Sequence, residues 1–305
     1  MRTLKSIVSF ANVIAVVFLG VLITACARHH SGLEASFSPE EITTLPSRVA
    51  ITIDDLPFVP RSRTSIEDGL THVEDINAAL AKHNIIATGF AVGKQIDAET
   101  IPAIQAFTDA GHAIGNHSWS HPDYGNLSIE QFRDETARAH QILKPWITGP
   151  RYYRFPFLRE GKTEQARVAA KLVLDELGYR NVPVSIDNDE WEFNADYLQA
   201  IKQGNKPKAA QIARQYLTHM KERTLHFQNL ARNELGSDVD HILLIHMNRI
   251  NADHLRALLD WYAEQGWTFI TLEEALKNSV YSQQNRYTGP RGLSQIERVL
   301  GKASN

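Results

Sequence analysis

From Arg48 onward the chain alternates short β-branched runs with longer stretches of helical apolar spacing, which restricts it to repeated βα units around a parallel sheet. Residues 49–53, 85–92, 113–116, 152–155, 182–186, 241–245 and 267–271 read as strands. Residues 66–82, 101–110, 129–146, 164–177 and 253–264 read as helices, several of them stopping at Gly111, Gly178 or Gly266 as helix C-termini commonly do. Seven units predict a barrel, although an open doubly wound sheet has the same alternation. One stretch breaks the rhythm. Residues 192–240, with a long helix expected around 209–233, exceed an ordinary crossover and predict an extra helical layer or flap between strands five and six.

Ahead of this body, residues 1–25 place Arg2 and Lys5 before an apolar run at 7–23, the layout of a signal peptide. The run is also close to the lower length of a retained membrane anchor. Residues 23–26, Ile-Thr-Ala-Cys, resemble a bacterial lipobox, which implies cleavage before Cys26 and a lipid on that cysteine. Ala27 in place of Asp then points to an outer-membrane anchor facing the periplasm, with residues 26–47 as a polar tether. Cys26 is the sole cysteine, so neither an intramolecular disulfide nor a cysteine-rich zinc site can form, and a metal would have to use His, Asp or Glu. A net charge of −3 offers no basic field for phosphates, so no nucleic-acid partner is expected.

In a βα barrel the active face lies at the strand C-termini, so the residues just past each strand decide what the chain can do. Strand one ends in Asp54-Asp55, strand three in His117-Ser118-Trp119-Ser120-His121, strand four in Arg154-Phe155-Pro156-Phe157, strand five in Asp187-Asn188-Asp189-Glu190-Trp191 and strand six in His246. Singly, each has an ordinary structural reading as a turn cap, a wet helix face or a surface charge. Together they aim ionisable groups at one mouth. The His117 and His121 spacing, read as one helical turn, points both imidazoles the same way, and Asp55 completes a three-ligand set with positions left for water and substrate. Asp54 is then the candidate general base, kept ionised and aimed by Arg154, and His246 the candidate general acid, tuned by an acidic neighbour from strand five.

These five motifs, in this order, resemble the polysaccharide deacetylase family, also called NodB-homology or carbohydrate esterase family 4, over about residues 48 to 276. The resemblance implies a deformed (β/α)7 barrel, to which the long stretch at 192–240 adds the helical insertion. It also implies a divalent metal, usually zinc though another transition metal is possible, and hydrolysis of N- or O-acetyl groups on a glycan. The domain is expected over 48–280, followed by a C-terminal tail at 281–305. Carried over by position, the resemblance makes Asp54 the base and Asp55, His117 and His121 the metal ligands. Arg154 would orient Asp54, the Phe157 backbone N–H would stabilise the oxyanion, and Trp191 would wall the acetyl pocket.

Three departures stand out: Leu56 where the family often has Gly, Phe157 where it has Tyr or Trp, and Glu190 where it has the Asp that supports the catalytic His. Glu190 fits with one extra methylene, or Asp187 or Asp189 takes its place. Trp119 is assigned equally to a substrate groove or to packing. His29 and His30 fall in the tether; His72, His83, His140, His219, His226 and His254 are expected on solvated helix surface, and His112 at a helix cap.

Overall fold

The computed structural model describes residues 46–60 and 62–303. The expected signal peptide, Cys26 and nearly all of the tether lie outside these residues. Ser47, at the end of the expected tether, is already tied in: its carbonyl accepts from the Thr268 N–H and its hydroxyl accepts from Gln228 Nε2 at 2.6 Å. Among the described residues no helix is long and apolar enough to cross a membrane.

Strand β1 (Arg48–Leu56) is the spine of the sheet, buried on both sides as parallel strands are. Its neighbours are β2 (Thr88–Ala91), β6 (Asp240–His246) and β7 (Thr268–Phe269), all parallel to it. Beyond β2 come β3 (Ala113–Asn116), β4 (Tyr152–Tyr153) and β5 (Arg180–Asn181), giving the order β5-β4-β3-β2-β1-β6. The chain after β5 crosses to the other edge, where Ile186 bridges Leu243 of β6 and the Ser185 N–H donates to the Ile242 carbonyl at 3.0 Å. A single bridge thus closes a deformed barrel; β4 and β7 are shorter than the runs at 152–155 and 267–271 predict, and β5 falls just before the run at 182–186 expected to form it. Val182, Val184 and Ile186 are buried, and backbone bonds tie the run at both ends, the Val182 N–H donating to the Tyr153 carbonyl at 2.8 Å and the Ile186 N–H to the Ile242 carbonyl at 3.1 Å.

The period-two pleat sorts the side chains. Val49, Ile51 and Ile53 of β1 and Leu243 and Ile245 of β6 pack outward into the helical layer, whereas Ala50, Ile242 and Leu244 join Phe90, Val182 and Val184 inside the barrel. Continuing the inward rows brings Thr52 and Asp54 up one strand and His246 up the other. The register then sets Asp54 beside His246.

Helices α1 (Ile66–Lys82), α2 (Ile101–Asp109), α3 (Ile129–Leu143) and α4 (Glu164–Glu176) follow the first four strands. The Ser65 hydroxyl accepts the Asp68 N–H at 3.0 Å, a cap worth about 1 kcal/mol, and Val73, Ile76 and Leu80 form the buried stripe of α1. The insertion is a pair of helices, α5 (Trp191–Lys202) and α6 (Lys206–Leu230), packed on each other and on α7 (Arg249–Glu264). The 25 residues of α6 span about 37 Å. Asn205 caps its start and Gly236, at φ 65°, lets the chain turn out after one π-type turn.

The expected C-terminal tail is not loose. After α8 (Leu272–Ala275), residues 283–294 run back over the barrel to α9 (Gln295–Leu300), where Ile296, Arg298 and Val299 are buried. The Gln295 N–H donates to the Val184 carbonyl at 2.6 Å.

Candidate active site

Two consecutive strand residues ordinarily point to opposite faces, so Asp54 and Asp55 can share the mouth only if the pleat is broken between them. Asp55 breaks it with φ 64°. The same conformation recurs at Ser118, His121, Phe157, Leu158 and Asp189, so six of the seven non-glycine residues with positive φ among those described lie in the motif loops. Each costs roughly 1–2 kcal/mol in an L-residue, strain of the kind that collects where geometry is fixed for function. The sequence carries no signal for it, since none of these positions is glycine.

His117 and His121 do converge, although not on the helical turn their spacing predicts. The Asn116 side chain accepts the Ser118 N–H at 2.8 Å and the Ser118 hydroxyl accepts the His121 N–H at 2.9 Å, folding the loop into an irregular turn. Ligand atoms of Asp55, His117 and His121 all lie within 4.8 Å of one another. His117 Nδ1 donates to the Arg154 carbonyl at 2.9 Å, which leaves the lone pair on Nε2. Burial, reinforced by His121, lowers its pKa to about 3, so the ring is neutral. That lone pair faces Asp54 Oδ2 and Asp55 Oδ1, each at 3.6 Å, while His121 Nε2 is 3.4 Å from Asp55 Oδ1. The unprotonated His117 Nε2 set against carboxylate oxygens is repulsive unless a cation sits between them, and the donor set fits a divalent metal.

Arg154, fully buried, donates Nη1 to Asp54 Oδ1 at 3.1 Å, Nη2 to the Thr52 hydroxyl at 3.1 Å and Nε to the Val182 carbonyl at 2.6 Å. Its guanidinium lies over the Phe90 ring at 4.4 Å. Burial pushes the Asp54 pKa up against the opposing pull of Arg154 and His246, making it a stronger base than an exposed carboxylate.

Across the mouth, Glu190 serves His246. Its Oε1 is 3.1 Å from His246 Nδ1, and accepts the His246 backbone N–H at 2.6 Å and Asn251 Nδ2 at 2.7 Å; Oε2 accepts Asn248 Nδ2 at 3.1 Å. The extra methylene is accommodated, and Asp187 and Asp189 are not needed for this role. Burial alone would push Glu190 up, but His246 and these donors hold it below the usual carboxylate range. Burial likewise opposes the His246 charge, yet Glu190, with Asp55 and Asp54, raises its pKa to about 10. Asn248 and Asn251, which complete this network, have no recognisable motif in the sequence beyond following His246 at short spacing.

These groups open onto a cavity of about 730 Å³. Trp191 and Phe157, each 53% exposed, line it as expected, Phe157 standing edge-on to His121 with centroids 4.6 Å apart. Asp187 also lines it, with a pKa raised to about 6 by burial and by Asp189 and Glu297. Of the two places left open for Trp119, the structure shows the packed one: it lies against Gly93 beneath Arg138, whose guanidinium is 4.6 Å from the ring, and does not line the cavity. His219 is a correction. Rather than facing solvent, its Nε2 donates to the Asn188 carbonyl, and with Arg223 one turn later on α6 it lines the cavity. Among the remaining histidines, His72 is buried, His83 pairs with Asp260, His140 with Tyr179 and His254 with Tyr197. His112 is buried and accepts the Ala87 N–H rather than capping a helix. The C-terminal Arg291, Leu293 and Glu297, which sequence reasoning left in a tail, form another part of the lining.

Residues 41–182, which contain Asp54, Asp55, His117, His121 and Arg154, match the family described as polysaccharide deacetylase. Over that stretch, just under half of its length, the chain carries a polysaccharide deacetylase domain. Its relatives include a peptidoglycan-N-acetylglucosamine deacetylase of Bacillus cereus, 29% identical over 166 residues (52% of each chain). Another is a chitin deacetylase of Colletotrichum lindemuthianum, 27% identical over 57% of this chain and 66% of that protein. The chain therefore spans about half to two thirds of the length of these two relatives. The fold is shared with the crystal structure of a CE4 family pseudoenzyme from Bacillus anthracis. The TM-score is 0.53 at 18% identity, covering 76% of this chain and 66% of that one. A likeness at this identity is one of fold, so any activity has to be read from the side chains at the mouth.

Proposed function

We propose that the chain is a metal-dependent hydrolase that removes acetyl groups from N-acetylhexosamine units of an envelope polysaccharide such as peptidoglycan, a chitin-like polymer or poly-GlcNAc. The observation that carries this reading is the placement of a base and an acid, Asp54 and His246, at paired positions of β1 and β6 beside the Asp55–His117–His121 cluster. A zinc ion held by those three residues would supply Lewis acidity toward water and a carbonyl oxygen. Asp54, aimed by Arg154, takes the proton of the attacking water. The Phe157 N–H stabilises the oxyanion. His246, held as imidazolium by Glu190, gives its proton to the leaving amine nitrogen. Trp191 and Phe157 offer exposed aromatic faces against which a sugar ring can lie.

A second reading keeps the chemistry and changes the substrate to a small amide or O-acetyl ester, and it is favoured by the wall that α5 and α6 add to the cavity. The lipobox-like residues 23–26 support a lipoprotein anchored in the outer membrane and facing the periplasm. Acetate release by the zinc-loaded chain from chitooligosaccharides, peptidoglycan fragments, acetylated xylan and small acetamides tests both readings. Release from glycans that a chelator abolishes is the expected result. Release from small compounds alone favours the second reading, and release indifferent to chelator refutes the metal-dependent mechanism.

A further inference from the structure

Phe157 and Leu158 are consecutive non-glycine residues with φ 58° and 55°. Such a pair persists only where its surroundings fix it. The fixing groups come from the C-terminal segment, beyond the residues that match the family. Gly292 lies so close to the Phe157 carbonyl that a Cβ there would overlap its oxygen. Arg298, 2% exposed, donates Nη2 to the Leu158 carbonyl and Nε to the Leu293 carbonyl at 3.0 Å, and its Nη1 lies 3.4 Å from Glu160 Oε2.

The segment is itself seated on the barrel. Beside the Gln295–Val184 bond, Gln295 Nε2 donates to the Val280 carbonyl at 2.8 Å, and Ser294 and Glu297 form a reciprocal cap at the start of α9. Holding the Phe157 and Leu158 carbonyls from behind restrains the dihedrals of both residues, and with them the direction of the Phe157 N–H. Arg298 therefore acts on the site at one remove, through the peptide units it grips.

We propose that Arg298, with Gly292 pressed against the same turn, is a positioning residue that aims the Phe157 N–H at the reacting carbonyl. The proposal rests on the deacetylase reading above. Its test uses the full chain labelled with ¹⁵N-phenylalanine, the Phe157 resonance being assigned by its loss in Phe157→Leu. In Arg298→Met that amide resonance is expected to move or broaden while those of Phe107 and Phe227, buried in the helical layer, stay in place; in Arg298→Lys it recovers in part. If Arg298→Met fails to fold, Arg298→Lys, which keeps the charge and a donor, carries the same comparison against the unchanged chain.

In zinc-loaded protein, Arg298→Lys is expected to lower kcat about tenfold to a hundredfold, as a small misplacement of a catalytic donor does, with KM and bound zinc unchanged. A Phe157 resonance that ignores the substitution, or a loss confined to KM, overturns the positioning role. If the unchanged chain releases no acetate from any acetylated compound, the deacetylase reading falls and takes the purpose of the turn with it; an active chain with an unmoved resonance sinks the positioning role alone.

Discussion

The first four βα units and the rest of the chain build the same mouth by different means. The former are regular: successive strands pair in sequence order and deliver Asp54, Asp55, His117, His121 and Arg154 from strand ends. The latter are improvised. A two-residue β5, a chain that crosses to β6 through one bridge, two inserted helices and a returning C-terminal segment supply Glu190, Trp191, His219 and the support of the Phe157 turn, all around a regular β6 whose register with β1 carries His246. The metal cluster, the base and the acid come from strands paired in register, while the carboxylate that supports the acid and much of the cavity wall come from the irregular part. Chemistry that needs fixed ligand geometry sits on the orderly strands, and features that set what enters the cavity sit where the fold departs from repetition.

The sharpest way to break this division is Asp54→Asn. It preserves shape and leaves all three ligands in place, so zinc is expected to stay bound while kcat falls by roughly two to four orders of magnitude. Joint loss of zinc and rate would show that Asp54 belongs to the ligand set. The next effect belongs to the irregular part. Glu190→Gln removes the carboxylate that raises the His246 pKa. The protonated acid is then lost at lower pH, so the basic limb of the rate profile is expected to move down in pH as kcat drops about ten- to a hundredfold. An unmoved limb would return the supporting role to Asp187 or Asp189. The smallest effect is at the wall: a packed aromatic face is worth about 0.5–1.5 kcal/mol, so Trp191→Ala is expected to raise KM for a glycan about two- to tenfold with kcat held. A drop in kcat instead would move Trp191 from the wall to the chemistry.

The same division governs what could be read from the sequence. The alternation located the strands and helices, and the motif residues could be read because a strand end is a place where chain position predicts spatial position. Asp54 and His246, about 190 residues apart, meet simply because their strands are neighbours in register. Nothing of the kind announces His219 or Arg298. On a helix, a histidine pointing to solvent and one pointing into a cavity have the same local spacing, and α6 reaches the site only through its packing on α5 and α7. The C-terminal residues read as a tail because their partners, Val184, Leu158 and Glu160, are more than a hundred residues away. Trp119 was ambiguous for the opposite reason: it stands between two ligands in the sequence, but the left-handed Ser118 and His121 turn the loop so that the ring packs away from the cavity.

The burial of the Arg154–Asp54 pair has a consequence for ionic strength. Between about 0.01 and 1 M salt the Debye length shrinks from about 30 to 3 Å, and exposed pairs such as Lys171–Asp175 lose most of their attraction. Arg154 and Asp54 have side-chain exposures of 1% and 4%, so mobile ions cannot come between them. Added salt therefore loosens the outer helices electrostatically while the aim of the base stays as it was, and a salt titration separates the electrostatics of the scaffold from those of the site.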